Sequence, residues 1–349
     1  MSNMKQVARM AGVSLGTVSH VLNDSAGVSE HLRKRVLDAV ETLSYQPSEL
    51  ARGLRRDKTN MIGMIIPDIT NPFFPAVVRG AEDAAFGSGY RLVLCNTDNS
   101  ESKEVSYMNE LRTFLPAGMI VIPSNSGDAT VHAHESVKGG SALVCLDRLP
   151  RHWKGDTVTV ANAEGAAMAT NYLIAVGHRR IATVTGPLHL SNAGARLKGF
   201  RAALKEARIT IPKEYLQEST FDSGGGYVAA LRLLQLTPRP TAIFAQNDLM
   251  AMGVLSAVRE CGLRCPADVS VFGFDGLDVT DFTNPPLSSV MQPGYQLGSV
   301  GVQVLLERVH NPARKYLHRV LPTELRLRGS VAPPPSASRR TAAPKRTAR

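Results

Sequence analysis

Three regimes of hydrophobic patterning follow one another along the chain. Residues 1–46 carry apolar positions at helical spacing: Val7, Ala8 and Ala11 form one stripe, and Val18, Val21 and Leu22 a second. Leu32, Val36, Ala39, Val40 and Leu43 form a third. Residues 47–60 are polar and basic, beginning at Pro47. From Met61 onward short apolar runs appear: Ile62–Ile66, Arg91–Cys95, Met119–Ile122, Ala142–Leu146, Thr157–Val160, Ile181–Thr185, Ala242–Ala245 and Val269–Phe274. Amphipathic stretches lie between them, such as Ala76–Ala85, Ala163–Val176, Arg196–Ala207 and Leu249–Cys261. Strand alternating with helix predicts βαβ units and doubly wound parallel sheets. Eight or more strands are generous for one sheet and comfortable for two, so the pattern predicts an α/β core of two lobes behind an all-α N-terminal headpiece. Residues 329–349, mostly Pro, Ser, Ala and Arg without periodicity, are expected to be a disordered basic tail.

Composition changes this picture little, but charge sharpens it. The 349 residues are 43% hydrophobic and 20% charged, ordinary values for a globular chain. Formal net charge is +10, and it sits at the ends. Residues 1–60 carry nine Lys/Arg against six Asp/Glu, and residues 330–349 carry five Lys/Arg and no acid. A polyanionic partner fits that distribution. No apolar run approaches the ~20 residues of a membrane span, and Met1–Met10 has no signal-peptide pattern. Cys95 and Cys145 lie in apolar runs, while Cys261 and Cys265 have no clustered His nearby. A reducing cytoplasm, no metal and no cofactor are therefore expected.

The segment Met4–Asn23 has the layout of a helix-turn-helix. A first helix ends at Ala11, Gly12 supplies a turn, and Ser14 can cap a second helix starting at Leu15. With Val18, Val21 and Leu22 inward, the outward face is Leu15, Gly16, Ser19, His20 and Asn23, the positions that reach base edges from the major groove. Leu15 suits a thymine methyl and His20 a purine acceptor, whereas Gly16 offers no side chain. A generic three-helix miniature domain explains the same stripes without DNA. Residues 47–58 tip the balance: the stretch Pro47–Arg56 is too short for a stable isolated helix, and Gly53 weakens it further. A helix that forms only against DNA accounts for Arg52, Arg55 and Arg56 and makes the exposed Leu54 a minor-groove wedge.

Polar residues gather where an open α/β sheet binds ligands, beyond the carboxyl ends of strands. Asp147 follows one apolar run, Asn247 and Asp248 follow another, and Asp275 ends a third. Single carboxylates there suit hydroxyl-rich ligands, each accepting two hydrogen bonds in fixed directions. Arg196 opens a helix and can fork onto a diol, carboxylate or phosphate, and Phe73, Phe74 and Phe221 can stack on a ring. Plainer readings stand beside these: Asp248 as a helix cap, the phenylalanines as core, and Arg148 as a salt-bridge partner for Asp147.

The pattern V-A-x-x-A-G-V-S-x-x-T-V-S-x-V-L-N from Val7 to Asn23, then Tyr45-x-Pro47 and A-x-x-L from Ala51 to Leu54, resembles the lactose-repressor (LacI/GalR) family. The likeness continues through Asn71-Pro72-Phe73-Phe74, Arg196-x-x-Gly199-Phe200, Asn247-Asp248 and Asp275, and covers about residues 4–328. It implies a headpiece at 1–46, a hinge helix at 47–60 and a core at 61–328 resembling periplasmic sugar-binding proteins. The first lobe would be 61–161 and 292–325 and the second 162–291, with Gln292 at a crossing between them. It also implies a homodimer on near-palindromic operator DNA. Leu15, Gly16 and His20 align with base-reading positions and Leu54 with the minor-groove lever; glycine at 16 departs from the commoner polar residue.

The candidate DNA-contacting set is Ser14, Leu15, Gly16, Thr17, Ser19, His20, Asn23, Ala51, Leu54 and Arg55. The candidate effector set is Phe73, Phe74, Asp147, Arg196, Phe221, Asn247, Asp248, Asp275 and Gln292. The family's effectors imply a sugar, sugar acid or sugar phosphate, with purine-like ligands also known in it. Enzyme readings find no support. The chain has no phosphate loop, no dinucleotide fingerprint, no nucleophile elbow and no zincin motif. Gly224–Gly226 reads as a flexible turn, and His132 and His134 as a solvated face. The rival reading is a sugar receptor or sugar-processing enzyme on the same two-lobed fold.

Overall fold

The computed structural model describes residues 3–22, 27–45, 59–114, 116–135 and 142–335, and they form two separate units. The N-terminal unit has helices α1 (Met4–Ala11), α2 (Leu15–Leu22) and α3 (Glu30–Thr42). Asn3 and Gln6 start α1 with a reciprocal capping box, each side chain accepting the other's amide at 3.0 and 2.9 Å. Gly12 ends it at φ +60°, and the Arg35 guanidinium donates to the Ala11 carbonyl at 2.7 Å, occupying an acceptor the helix leaves open. Ser14 then caps α2 by accepting from the Thr17 amide at 3.1 Å. The stripes meet in one small core of Val7, Ala8, Ala11, Val18, Val21, Val36 and Ala39.

The second unit holds two six-stranded sheets. The first lobe is built from β1 (Met61–Ile66), β2 (Arg91–Asn96), β3 (Gly118–Val121), β4 (Ala142–Leu146), β5 (Asp156–Val160) and the late strand β11 (His318–Leu321). Their order is β11-β5-β4-β3-β1-β2, parallel throughout. Helices α4 (Phe73–Gly87), α5 (Glu101–Thr113), α6 (Ala129–Glu135) and the late α11 (Gly294–His310) complete it. The second lobe is built from β6 (Ile181–Thr185), β7 (Leu216–Glu218), β8 (Ala242–Ala245), β9 (Ser270–Asp275), β10 (Ser288–Met291) and β12 (Glu324–Arg326). These are ordered β12-β10-β9-β8-β6-β7, with only β12 antiparallel. Its helices are α7 (Asn162–Ala175), α8 (Ser191–Glu206), α9 (Ser223–Gln235) and α10 (Asp248–Glu260).

Every apolar run read from the pattern is a strand; seven of the eight are largely buried within their sheets, while β2, at a sheet edge, leaves Val93 and Leu94 exposed. Three expectations need correction. The first lobe's return segment does not extend to 325: β12 pairs with β10 of the second sheet, so the chain crosses between lobes a third time, just before Glu324. Gly224–Gly226 is not a flexible turn but the first turn of α9, capped by Asp222, whose side chain accepts from the Gly225 amide at 2.7 Å. A Cβ on Gly226 would lie 2.3 Å from the Met250 carbonyl oxygen, so the bare backbone is what lets α9 seat against α10. The tail also starts later than 329. Ser330 is fully buried, donating to the Val271 carbonyl at 2.6 Å and accepting from the Ser288 amide at 2.8 Å. Residues 336–349 lie outside the described residues, as do 46–58, where the hinge helix was expected. No described helix is long and apolar enough to cross a membrane.

Candidate functional site

The two sheets present the carboxyl ends of their strands to one cleft. Asp147 directly follows β4 at φ +56°, and Asp275 ends β9 at φ +129°. Both angles are costly for residues with a Cβ, on the order of 1–3 kcal/mol each, and such strain collects where side chains must be aimed. Around these acids the first lobe brings Asn71, Phe73, Phe74 and Arg148, and the second brings Asn192, Arg196, Phe221 and Asn247. Gln292, at a crossing between the lobes, completes the wall. The space enclosed is about 20 Å³, roughly one water's worth.

Each charged group is held from behind. Arg196 donates from Nε to Asn162 Oδ1 at 2.7 Å and from Nη1 to the Gln246 carbonyl at 2.6 Å. Its guanidinium lies 3.9 Å from the Phe274 ring centroid and 3.8 Å from Asp275 Oδ1. It does not open α8, as the pattern suggested, but sits in its second turn; the helix begins five residues earlier, at Ser191. Arg148 donates to Asn99 Oδ1 at 3.1 Å and packs over the Phe74 and Phe221 rings at 5.7 and 5.9 Å. Gln292 Nε2 donates to Asp275 Oδ1 at 2.6 Å, and Asn192 Nδ2 to Asp147 Oδ2 at 3.0 Å.

Burial dominates the electrostatics. It pushes the Asp275 carboxyl well above its ordinary range despite Arg196 nearby, with the Asp248 charge adding to the rise. Asp147 is raised for the same first reason, against the pull of Arg196 and Arg148. Both arginines are lowered by burial. Three polar atoms on this wall, Asp147 Oδ1, Arg148 Nε and Gln292 Oε1, are buried without a protein partner. Such atoms are costly unless something hydrogen-bonds to them, and a polyol does so in both the donor and the acceptor sense.

Asp248 is the exception among the expected effector residues. Its oxygens accept from the Ser289 hydroxyl at 2.6 Å and the Leu277 amide at 2.8 Å, so it is turned away from the cleft and ties β9 to β10. Burial lifts it to about 7. Asn247 lines the cleft and also caps α10, accepting from the Met250 amide at 2.8 Å. The candidate effector set lacks Asn71, Asn192 and Arg148, the last read as a possible salt-bridge partner of Asp147; its Nε stands 3.9 Å from Asp147, too far for a hydrogen bond. The signal for Asn192 was its position one helical turn before Arg196, on the same face.

On the N-terminal unit, Ser14, Leu15, Gly16 and His20 are exposed, Leu15 by 43%, and Thr17 and Ser19 are half-buried. The Thr17 hydroxyl lies 3.0 Å from that of Ser14. Asn23, Ala51, Leu54 and Arg55 lie outside the described residues.

Comparison with known proteins gives two family matches. Residues 3–48 match bacterial regulatory proteins of the lacI family, and residues 170–331 match a periplasmic binding protein-like domain. The ribose operon repressor of Escherichia coli (strain K12) is 38% identical over 334 residues, covering 95% of this chain and all of the relative. A lac repressor dimer bound to operator and the anti-inducer ONPF superposes with a TM-score of 0.85 at 25% identity, covering 95% of this chain and 99% of that one. A LacI family regulator from Enterococcus faecium with bound ribose gives 0.70 at 32% identity, covering 78% and 99%. The chain is a transcriptional regulator that belongs to the lacI family of bacterial regulatory proteins.

Proposed function

We propose that this regulator is a homodimeric repressor of operator DNA whose effector is a pentose of the ribose class, bound between the lobes. The observation that carries the ligand class is the cleft itself. Two strained acids, two arginines, an amide at the crossing and three phenylalanines surround buried Asp147 Oδ1, Arg148 Nε and Gln292 Oε1, which have no partner in the protein. Carboxylates and guanidinium forks match a ring of adjacent hydroxyls, and the aromatic faces match the ring's C–H surface. The names of the E. coli relative and the ribose-bound neighbour support the same class.

The headpiece reads DNA with Leu15, Gly16, Ser19 and His20 of α2, with Ser14 and Thr17 fixing the helix start against the backbone. Asn23 belongs with the major-groove readers, and Leu54, flanked by Ala51 and Arg55, acts as the minor-groove wedge. Effector closure of the lobes shifts the two first lobes of the dimer relative to each other and thereby the packing of the paired hinge segments. A coupling of 1–3 kcal/mol would change operator affinity by about 5–150-fold. Calorimetric titration of the full chain with ribose, other pentoses, hexoses and purine bases tests the ligand class. Selective binding of a pentose is expected; binding of a purine base alone, or turnover of any sugar with ATP, overturns it.

A further inference from the structure

The first residues of α8 reach across the cleft. The Ser191 amide donates to the Ser126 hydroxyl at 2.8 Å, and the Ser191 hydroxyl accepts from the Leu149 amide at 2.8 Å. One residue on lies the Asn192–Asp147 bond. Ser126, Asp147 and Leu149 belong to the first lobe, Ser191 and Asn192 to the second.

Local structure explains why the contact is useful. The residue before α8, Leu190, gives no side-chain cap, so the helix's first amide finds its acceptor in the opposite lobe. The Ser126 carbonyl in turn accepts from the Arg151 amide at 2.9 Å, fastening the loop of residues 147–151. That loop carries Asp147 and Arg148 on the effector wall and the Leu149 amide at this contact. One rigid loop therefore meets the ligand at one end and α8 at the other.

We propose that Ser191, with the Ser126 hydroxyl and the Leu149 amide, is a closure latch. It sets effector affinity and residence time by stabilising the closed lobes, without touching the effector. The inference rests on reading the cleft as the effector site. Opening the lobes frees the Ser191 and Leu149 amides and the two hydroxyls to water, so each bond contributes only its net value, worth about fivefold in affinity. Because a latch acts on closure alone, every ligand of the cleft loses the same factor, and the loss falls on dissociation.

The test uses Ser126→Ala, Ser191→Ala and the double variant in the full chain. Calorimetry and stopped-flow binding of ribose and a second pentose are expected to show about fivefold weakening per single variant. Dissociation should be faster, association unchanged, and the ratio between the two sugars preserved. Affinity within twofold of the parent, or a loss confined to one sugar, overturns the latch. Independently of any sugar, spin labels on the two lobes, with the exposed Cys261 replaced by Ser, report closure directly. The double variant should shift to longer distances; an unchanged distribution refutes the latch even if the ligand class proves different.

Discussion

Replacing Asp275 by Asn separates what the cleft does for its ligand from what it does for the fold. The side chain keeps its shape, and its remaining oxygen still accepts from Gln292 Nε2, now 2.6 Å away. What disappears is one acceptor for a ligand hydroxyl and the titratable carboxyl 3.8 Å from Arg196. Losing that acceptor leaves a ligand hydroxyl unpaired in a buried site, which costs about 1–3 kcal/mol, so effector affinity should fall about 5- to 150-fold. Stability should move the other way. Burial raises this carboxyl's pKa in the folded chain, so the folded state holds the proton more tightly than the unfolded one. The parent protein therefore loses stability as pH rises through that raised value, and the Asn variant lacks this loss. A shallower slope remains in the variant because Asp248, at about 7, titrates in the same sense. Calorimetric titration at pH 8 and thermal melts from pH 5 to 8.5 check both halves. Affinity within twofold of the parent, or a variant that melts well below the parent at pH 8, would refute the reasoning.

Ser14→Ala removes the cap of α2 and should cost about 1 kcal/mol of headpiece stability, with weaker operator binding and unchanged effector binding; melts and DNA titration check this. His178 is fully buried, its Nε2 donating to the Ala332 carbonyl at 2.9 Å, and burial lowers it to about 4. The unfolded chain takes up that proton near pH 6.5, so stability should fall as pH drops from 6.5 towards 4, by up to about 3 kcal/mol. A His178→Gln variant measured in urea should show a correspondingly smaller fall. Gly226→Ala places a methyl 2.3 Å from the Met250 carbonyl oxygen and should lower core stability by about 1–3 kcal/mol, read as a lower melting temperature with operator affinity per folded molecule unchanged.

The strands legible in the sequence were those with continuous apolar runs, which parallel sheets buried on both faces demand. Strands β7, β10, β11 and β12 escaped because polar residues interrupt them: β7 is only Leu216–Glu218, Ser288 and Ser289 are buried only because partners satisfy them, and His318, Arg319 and Glu324 stand at an exposed edge. The cleft acids were legible because a carboxylate after an apolar run has few other reasons to be there. Their contacts across the cleft were not legible, since Asn192 meets Asp147 from 45 residues away and nothing local encodes the meeting. Asp248 shows the converse failure: a strand-end acid whose oxygens are used within its own lobe. Positions at special backbone angles were half visible. Gly12 announced its turn, while φ +129° at Asp275 follows from tertiary packing alone.

On this reading, one small molecule in the cleft controls DNA binding by the headpiece. That control is tested most directly by titrating the full chain onto labelled operator fragments from beside its own gene, at fixed salt, with and without ribose. Salt must be held constant because phosphate contacts alone change affinity steeply. Sequence-selective binding that ribose shifts by about 5–150-fold is expected. Selective binding that ribose, other pentoses and hexoses all leave unchanged would contradict it.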